Sequence, residues 1–177
     1  MKIFLECQFS YFHIMTESLL GLYLFLEKRN LLKSDCEIWI KEKYKQYVPI
    51  IQLFTTERVR VVSDIPPCEQ FKLNLSYTPE KYADLLRLKD FFESQFQLEN
   101  CDPSIITVIH RKSKRVMRNY NTLRERLHAF RMPVVDIFLE NLTFEEQIRL
   151  MQRTKVLIAA HGAGLTNMMF MQKGGVV

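Results

Sequence analysis

The sequence predicts an α/β protein built on parallel sheets, and three observations carry that reading. Short β-branched runs such as SIITVIH (104–110), PVVDIFL (133–139) and KVLIAA (155–160) alternate with helical segments of about ten residues, the rhythm of βαβ units. Those runs are apolar nearly throughout, as expected of strands covered on both faces. The rhythm also occurs twice, on either side of a long helical segment, so the chain divides into two α/β lobes, 1–78 and 79–177, neither necessarily complete.

In order, residues 1–6 (MKIFLE) read as a strand and YFHIMTESLLGLYLFLEKRN (11–30) as a helix with Leu19, Leu22 and Leu26 on one apolar face. CEIWI (36–40) is a short β-rich run. YKQYVPIIQLF (44–54) is helical and enters its helix near Pro49, whose fixed φ suits a first turn. RVRVV (58–62) alternates as a strand, and DIPPCEQ (64–70) reads as a turn or connector. Thr78 and Pro79 then signal an N-cap and a first-turn proline. The helix they open runs to Gln97 with Tyr82, Leu85, Leu86, Phe92 and Phe96 on its buried side. In the second lobe NTLRERLHAF (121–130) is a helix, and Thr143 with Glu146 makes a T-x-x-E capping box ahead of FEEQIRLMQRT. GGVV (174–177) is placed to begin a fourth strand.

With 177 residues, 47% hydrophobic and 25% charged, the chain holds enough apolar material for one sizeable core or two small ones. The longest apolar run, SLLGLYLFL (18–26), is far shorter than the roughly 20 residues that span a bilayer. No signal-peptide layout surrounds it, so membrane association is expected only through segments outside this sequence. Cys7, Cys36, Cys68 and Cys101 make no CxxC knuckle and no dense disulfide framework. They are either buried thiols or, in an oxidising compartment, disulfide partners.

The net charge of +5 is uneven: residues 1–100 carry 13 Lys/Arg against 14 Asp/Glu, whereas 101–177 carry 12 against 6. The excess lies in RKSKRVMRNYNTLRERLHAFR (111–131), where eight basic residues face Glu125 alone. Such a stretch is either a solvated basic loop or a site for an anionic partner. Arg111, Lys112, Lys114 and Arg115 fall just past strand 104–110, at a carboxyl end, where parallel α/β sheets bind ligands. Arginine forks suit a diphosphate. Nucleic acid is not the expected partner, because no aromatic platform or reader motif accompanies the charge.

The turn AAHGAGLTN (159–167) leaves strand 155–160 at the same rim. Gly162 and Gly164 allow positive φ and close approach of a ligand, the N–H groups of the following helix favour a phosphate, and Thr166 and Asn167 add polar partners. His161 either donates to a phosphate or satisfies a buried carbonyl. By spacing alone the turn is equally a tight strand-to-helix connection, since HGAG is neither GxGxxG nor a Walker loop. In the first lobe His13 and Glu17 stand four apart on one helical face, either as a packed pair or as a base and its orienting group.

Three segments, in this order, resemble the glycosyltransferase family 61 catalytic domain. LTFEEQIRLMQRTKVLIAAHGAGLTNMMFMQKGGVV (142–177) is similar to the family's Gln-containing helix, strand and HGAGLTN turn. ITVIHRKSKRVMRN (106–119) is similar to its strand followed by R-x3-R-x3-N, matched at Arg111, Arg115 and Asn119. YFHIMTESLLGLYLFL (11–26) is similar to its aromatic-His-x3-acid-x-L segment, matched at His13 and Glu17. The chain departs from the pattern at Tyr120, where family members often carry an acid, and at His110, where a Ser or Thr is common.

The resemblance implies a GT-B-like arrangement of two Rossmann-like lobes and an inverting transferase using a nucleotide sugar, commonly UDP-linked. It implies a donor site of Arg111, Arg115, His161, Gly162, Gly164, Thr166 and Asn167, with Glu17, helped by His13, as the acceptor-side base. No metal or other cofactor is expected, since basic groups and a helix terminus can stabilise the departing diphosphate. The partners are then a nucleotide-sugar donor and a glycan or protein acceptor. The location is the Golgi or ER lumen for a eukaryotic member, consistent with sequons at Asn74 and Asn141, and the cytoplasm for a bacterial one. In the family a further strand with an acidic residue follows the GGVV position, so the chain is expected to be a fragment or minimal version and a poor enzyme by itself. The alternative is a non-catalytic nucleotide- or phosphate-binding α/β module.

Overall fold

A computed structural model describes residues 1–7, 10–63, 69–71, 79–98 and 101–177, with the backbone alone for 69–71 and 79–81. The chain divides into two units, Met1–Gln95 and Phe96–Val177. Every strand pairing among the described residues is parallel, and each unit is a Rossmann-like α/β layer structure.

The first unit contains β1 (Lys2–Leu5), α1 (Tyr11–His13), α2 (Leu20–Lys28), β2 (Glu37–Lys41), α3 (Val48–Ile51), β3 (Arg60–Val62), β4 (Glu69–Phe71) and α4 (Pro79–Gln95). Its sheet order is β3-β2-β1-β4, so direction reverses between β1 and β4. The helix read over 11–30 is interrupted: α1 and α2 are joined by a π-helical segment, Ile14–Leu19. Pro49 sits in the first turn of α3, where its missing N–H would have no intrahelical partner. Residues 69 and 70, expected in a connector, instead open β4, whose polar sequence EQF carries no strand periodicity.

The long helix α4 belongs to the first unit rather than to the second, and it buries Phe92 as expected but not Tyr82 or Leu86. Leu88 and Phe92 are fully buried, while Tyr82 is 66% and Leu86 43% exposed. Phe91 stacks on Phe54 (4.9 Å) and tilts against Tyr23 (5.5 Å), and Phe92 meets Phe54 edge-on (5.6 Å). Arg87 pairs with Glu27 of α2. These contacts tie α4 to α2 and to the turn after α3, which explains the boundary at residue 95.

The second unit runs β5 (Ile105–Ile109), α5 (Tyr120–Leu127), β6 (Val134–Ile137), α6 (Phe144–Arg153) and β7 (Thr154–Ala159), then a 3-10 helix, Ala163–Phe170. Its sheet order is β6-β5-β7. All five residues of central β5 are buried, as its unbroken apolar run requires. Ile106 and Val108 pack with Leu127 under Met117, Leu123, Val134, Val156 and Ile158. The capping box forms as read: Thr143 Oγ1 accepts from Glu146 N (3.3 Å), and Glu146 Oε2 accepts from Thr143 N (2.7 Å). Val176 makes an isolated parallel bridge to Val156, so the GGVV segment meets β7 at one position without forming a strand among the described residues.

Among the described residues Cys7, Cys36 and Cys101 are free, and burial pushes the Cys7 thiol up to about 12. Cys68, Asn74 and Thr78 lie outside the described residues. No helix among the described residues is long and apolar enough to cross a membrane.

Candidate functional site

In an open parallel sheet, the crevice for a ligand forms beyond the carboxyl ends of two adjacent strands whose connections run in opposite directions. In the second unit that point lies between β5 and β7, because the chain steps from β5 to β6 on one side and returns to β7 on the other. The arginine segment follows β5 and the HGAG turn follows β7, so pairing of these two strands brings the segments together.

The meeting is direct. Arg111 Nη1 donates to the backbone carbonyl of His161 at 3.1 Å, and Arg115 Nη1 donates to the same oxygen at 2.6 Å. Arg115 Nη1 also lies 3.2 Å from His161 Nδ1, which accepts when the imidazole carries its hydrogen on Nε2. Among the described residues no carboxylate pairs with either guanidinium. Two cations thus converge on one neutral oxygen at an exposed rim. Arg115 holds the left-handed conformation (φ 60°), uncommon for a residue with a side chain.

The two glycines of the turn serve space rather than positive φ, contrary to the expectation from sequence. Gly162 has φ 165°, ordinary extended backbone, and among the described glycines only Gly174 has a positive φ in the left-handed range. A Cβ on Gly162 would overlap the Arg111 guanidinium, and one on Gly164 would lie 3.0 Å from Leu139 Cδ1. The segment after the turn is a 3-10 helix rather than an α-helix, so the axial dipole invoked for a phosphate is weaker than a regular helix would give.

Thr166 is 8% exposed, and its Oγ1 is buried without a hydrogen-bond partner among the described residues. Asn167 is fully buried and its Nδ2 donates to Gln147 Oε1 at 2.7 Å. Gln147 Nε2 in turn donates to the carbonyls of Leu139 and Leu142, both at 3.1 Å. The glutamine of α6 and the asparagine of the turn therefore brace each other, and the amide of Asn167 is spent on the fold rather than offered at the rim.

Sequence reasoning missed Asp136, which lies mid-strand in β6. Its Oδ1 accepts from His110 Nε2 at 2.9 Å and from the Tyr120 hydroxyl. Arg124 Nε stands 3.9 Å from the other oxygen. Burial pushes the Asp136 carboxyl up, but the hydrogen bonds from Tyr120 and His110 and the nearby Arg124 guanidinium outweigh it and hold the group below the usual carboxylate range. The Tyr120 phenol is pushed up to about 12, by burial first and then by the Asp136 carboxylate. The readable signal was weak: one acid in an otherwise apolar strand.

In the first unit the strand order reverses between β1 and β4, and the helix after β1 carries His13 and Glu17 in its opening turns. Ser10 caps that helix through its side chain. His13 Nδ1 lies 2.6 Å from Glu17 Oε1, and the ring of Phe12 meets the imidazole edge-on at 5.3 Å. The His13 side chain is 50% exposed and that of Glu17 27%. Glu17 lies within the π-helical segment, and such segments recur at functional sites. The first unit therefore presents His13 and Glu17 after β1, and the second presents its arginines after β5 and the HGAG turn after β7, each at a point of reversal.

Among the described residues no cluster of His, Cys, Asp and Glu could hold a metal ion. No curated protein matches the chain at a significant level. The sequence model of the Glycosyltransferase 61 family matches residues 11–177, from the aromatic before His13 through the arginine loop to the end of the HGAG segment, and the chain belongs to that family.

Proposed function

We propose that this glycosyltransferase moves a sugar from a UDP-linked donor to a hydroxyl of a glycan or protein acceptor, by a single inverting displacement, with the two-unit organisation of the GT-B type. The observation that carries the reading is the convergence of Arg111 and Arg115 on one carbonyl with no carboxylate partner among the described residues. A diphosphate supplies the missing counter-charge, and guanidinium forks match its oxygens. As the bond from the anomeric carbon to the diphosphate breaks, the leaving oxygen takes the electron pair, and cations already aimed at it stabilise that charge without reorganising. No metal requirement is part of the proposal.

Gly162 and Gly164 leave room for the Arg111 guanidinium and for Leu139, His161 lines the site, and the Thr166 hydroxyl, without a partner among the described residues, offers a donor to a phosphate or ribose oxygen. Asn167 acts by fixing the turn through Gln147. On the acceptor side Glu17 is the base, and His13, 2.6 Å away, orients its carboxylate. Glu17 removes the acceptor proton as the new bond to carbon forms, a role contributing about 10²–10⁴-fold to rate.

The test is calorimetric titration of UDP into Arg115→Ala. The expected result is a sharp loss of affinity with an unchanged circular dichroism spectrum, and unchanged affinity would sink the donor-site assignment. UDP binding without turnover of any UDP-hexose or UDP-pentose would leave a nucleotide-binding module instead. Glu17→Gln is expected to lose turnover while binding UDP normally, and full turnover in that variant removes the pair from the mechanism.

A further inference from the structure

The loop that carries both arginines is closed at its neck by a single carboxylate oxygen. Residues 111–119 hold Arg111, Lys112, Lys114, Arg115 and Arg118 and no acid. Five cations in so short a span repel one another and favour an open, fluctuating loop. The two residues that flank the loop, His110 and Tyr120, both donate to Asp136 Oδ1. Their rings also meet edge-on, 4.4 Å between centroids at 86°, and Phe138 lies against the far side of His110 at 5.6 Å. Inside the loop, Met117 packs on the core of Ile106, Val108 and Leu127.

We propose that Asp136 is a positioning residue for the anion site: by clamping His110 to Tyr120 it holds the loop in the form that brings Arg111 and Arg115 onto the His161 carbonyl. The proposal rests on reading that loop as the donor-diphosphate site. A clamped loop presents its cations already converged, so a ligand need not order them. The two departures from the family pattern, His110 and Tyr120, are the two residues so clamped. Read along the chain they are separate oddities; in the fold they meet on one oxygen. The first donates through an imidazole where a Ser or Thr is common, and the second donates through a phenol where an acid is common. Asp136 supplies the acceptor that serves both.

The sign of the effect separates a clamp from simple electrostatics. Removing a carboxylate beside a cationic site should strengthen anion binding if Asp136 acts only through its charge. A clamp predicts the reverse. Titrations of inorganic pyrophosphate and of UDP at fixed ionic strength are expected to show Asp136→Ala weaker than wild type by about tenfold or more. Tyr120→Phe, which keeps the ring contact and loses only the hydroxyl, is expected to weaken binding by a smaller factor. Asp136→Ala added to Arg111→Ala/Arg115→Ala is expected to weaken binding no further, because Asp136 acts through those two arginines. Amide exchange over 111–119 should quicken in Tyr120→Phe while β5 and β7 stay protected.

Affinity in Asp136→Ala equal to or tighter than wild type overturns the clamp, as does a further loss when Asp136→Ala is added to Arg111→Ala/Arg115→Ala. If Asp136→Ala does not fold, Tyr120→Phe decides by the same two measurements. If wild type binds neither pyrophosphate nor UDP, it is the donor-site reading that fails. The clamp is then judged by exchange, and unchanged protection of 111–119 in Tyr120→Phe overturns it.

Discussion

Replacing Gly162 by alanine separates the two jobs a glycine can do in the HGAG turn. The backbone there is extended (φ 165°, ψ 178°), so alanine adopts it without strain. The substitution narrows the unfolded ensemble, which favours the fold by about 0.4–1 kcal/mol. Against this, the new Cβ overlaps Arg111 Nη1 and stands 3.1 Å from its Cζ. The guanidinium must swing away, losing its hydrogen bond to His161 O, an exposed contact worth about 0.5–1 kcal/mol. The two terms nearly cancel, so the melting temperature should move by no more than a few degrees. Binding should not cancel. A displaced guanidinium removes a charge-assisted contact worth about 1.5–3 kcal/mol, or about 10- to 150-fold in affinity for a diphosphate. Calorimetric titration of UDP, with thermal melts of the same samples, reads both quantities. A folded Gly162→Ala that binds UDP within about twofold of wild type would refute the reasoning, as would a further loss of affinity on adding the change to Arg111→Ala.

Three other predictions follow from polar groups of the second unit. Thr166→Val removes a hydroxyl that has no partner among the described residues, so the free protein should keep or gain stability, by about 1 kcal/mol, while UDP affinity falls about tenfold if the hydroxyl meets the donor; a marked drop in melting temperature would show that the hydroxyl is bonded internally. The Asp136 carboxyl is held below its usual range, so the stability it contributes is complete above the ordinary aspartate value and is lost as pH falls through its depressed one. Thermal melts of Asp136→Asn should therefore lie below wild type at neutral pH and converge with it in acid; a constant gap would contradict the linkage. The Tyr120 phenol, raised to about 12, contributes stability fully below the ordinary phenol value and loses it as pH climbs toward about 12. Because burial also raises Tyr23, to about 12, and Tyr11, absorbance titration should count one fewer late-ionising phenol in Tyr120→Phe than in wild type.

What could be read from sequence was what short-range chemistry encodes. The capping box of Thr143 and Glu146 closes within one turn, so its residues announce it. The apolar run of β5 and the arginines just past it mark a buried strand ending at a rim, and HGAG marks a turn after β7. Other features had no local signal. The polar EQF of β4 is a strand because its backbone pairs with β1. In α4 two apolar stripes compete, and Tyr23 and Phe54 determine that Leu88 and Phe92 are buried while Tyr82 and Leu86 face water.

The candidate site divides along the same line. Sequence by itself determined the residue types and their placement at strand ends: two arginines four apart, a glycine-rich turn, and a His–Glu pair one helical turn apart. Tertiary structure decided what they do to one another. Pairing of β5 with β7 aims two guanidiniums at one carbonyl, burial commits Asn167 to Gln147, and β6 carries Asp136 under both ends of the arginine loop. Hydrogen bonds and Coulomb forces act over a few ångströms in space, and only the fold brings residues 26 to 50 positions apart within that range.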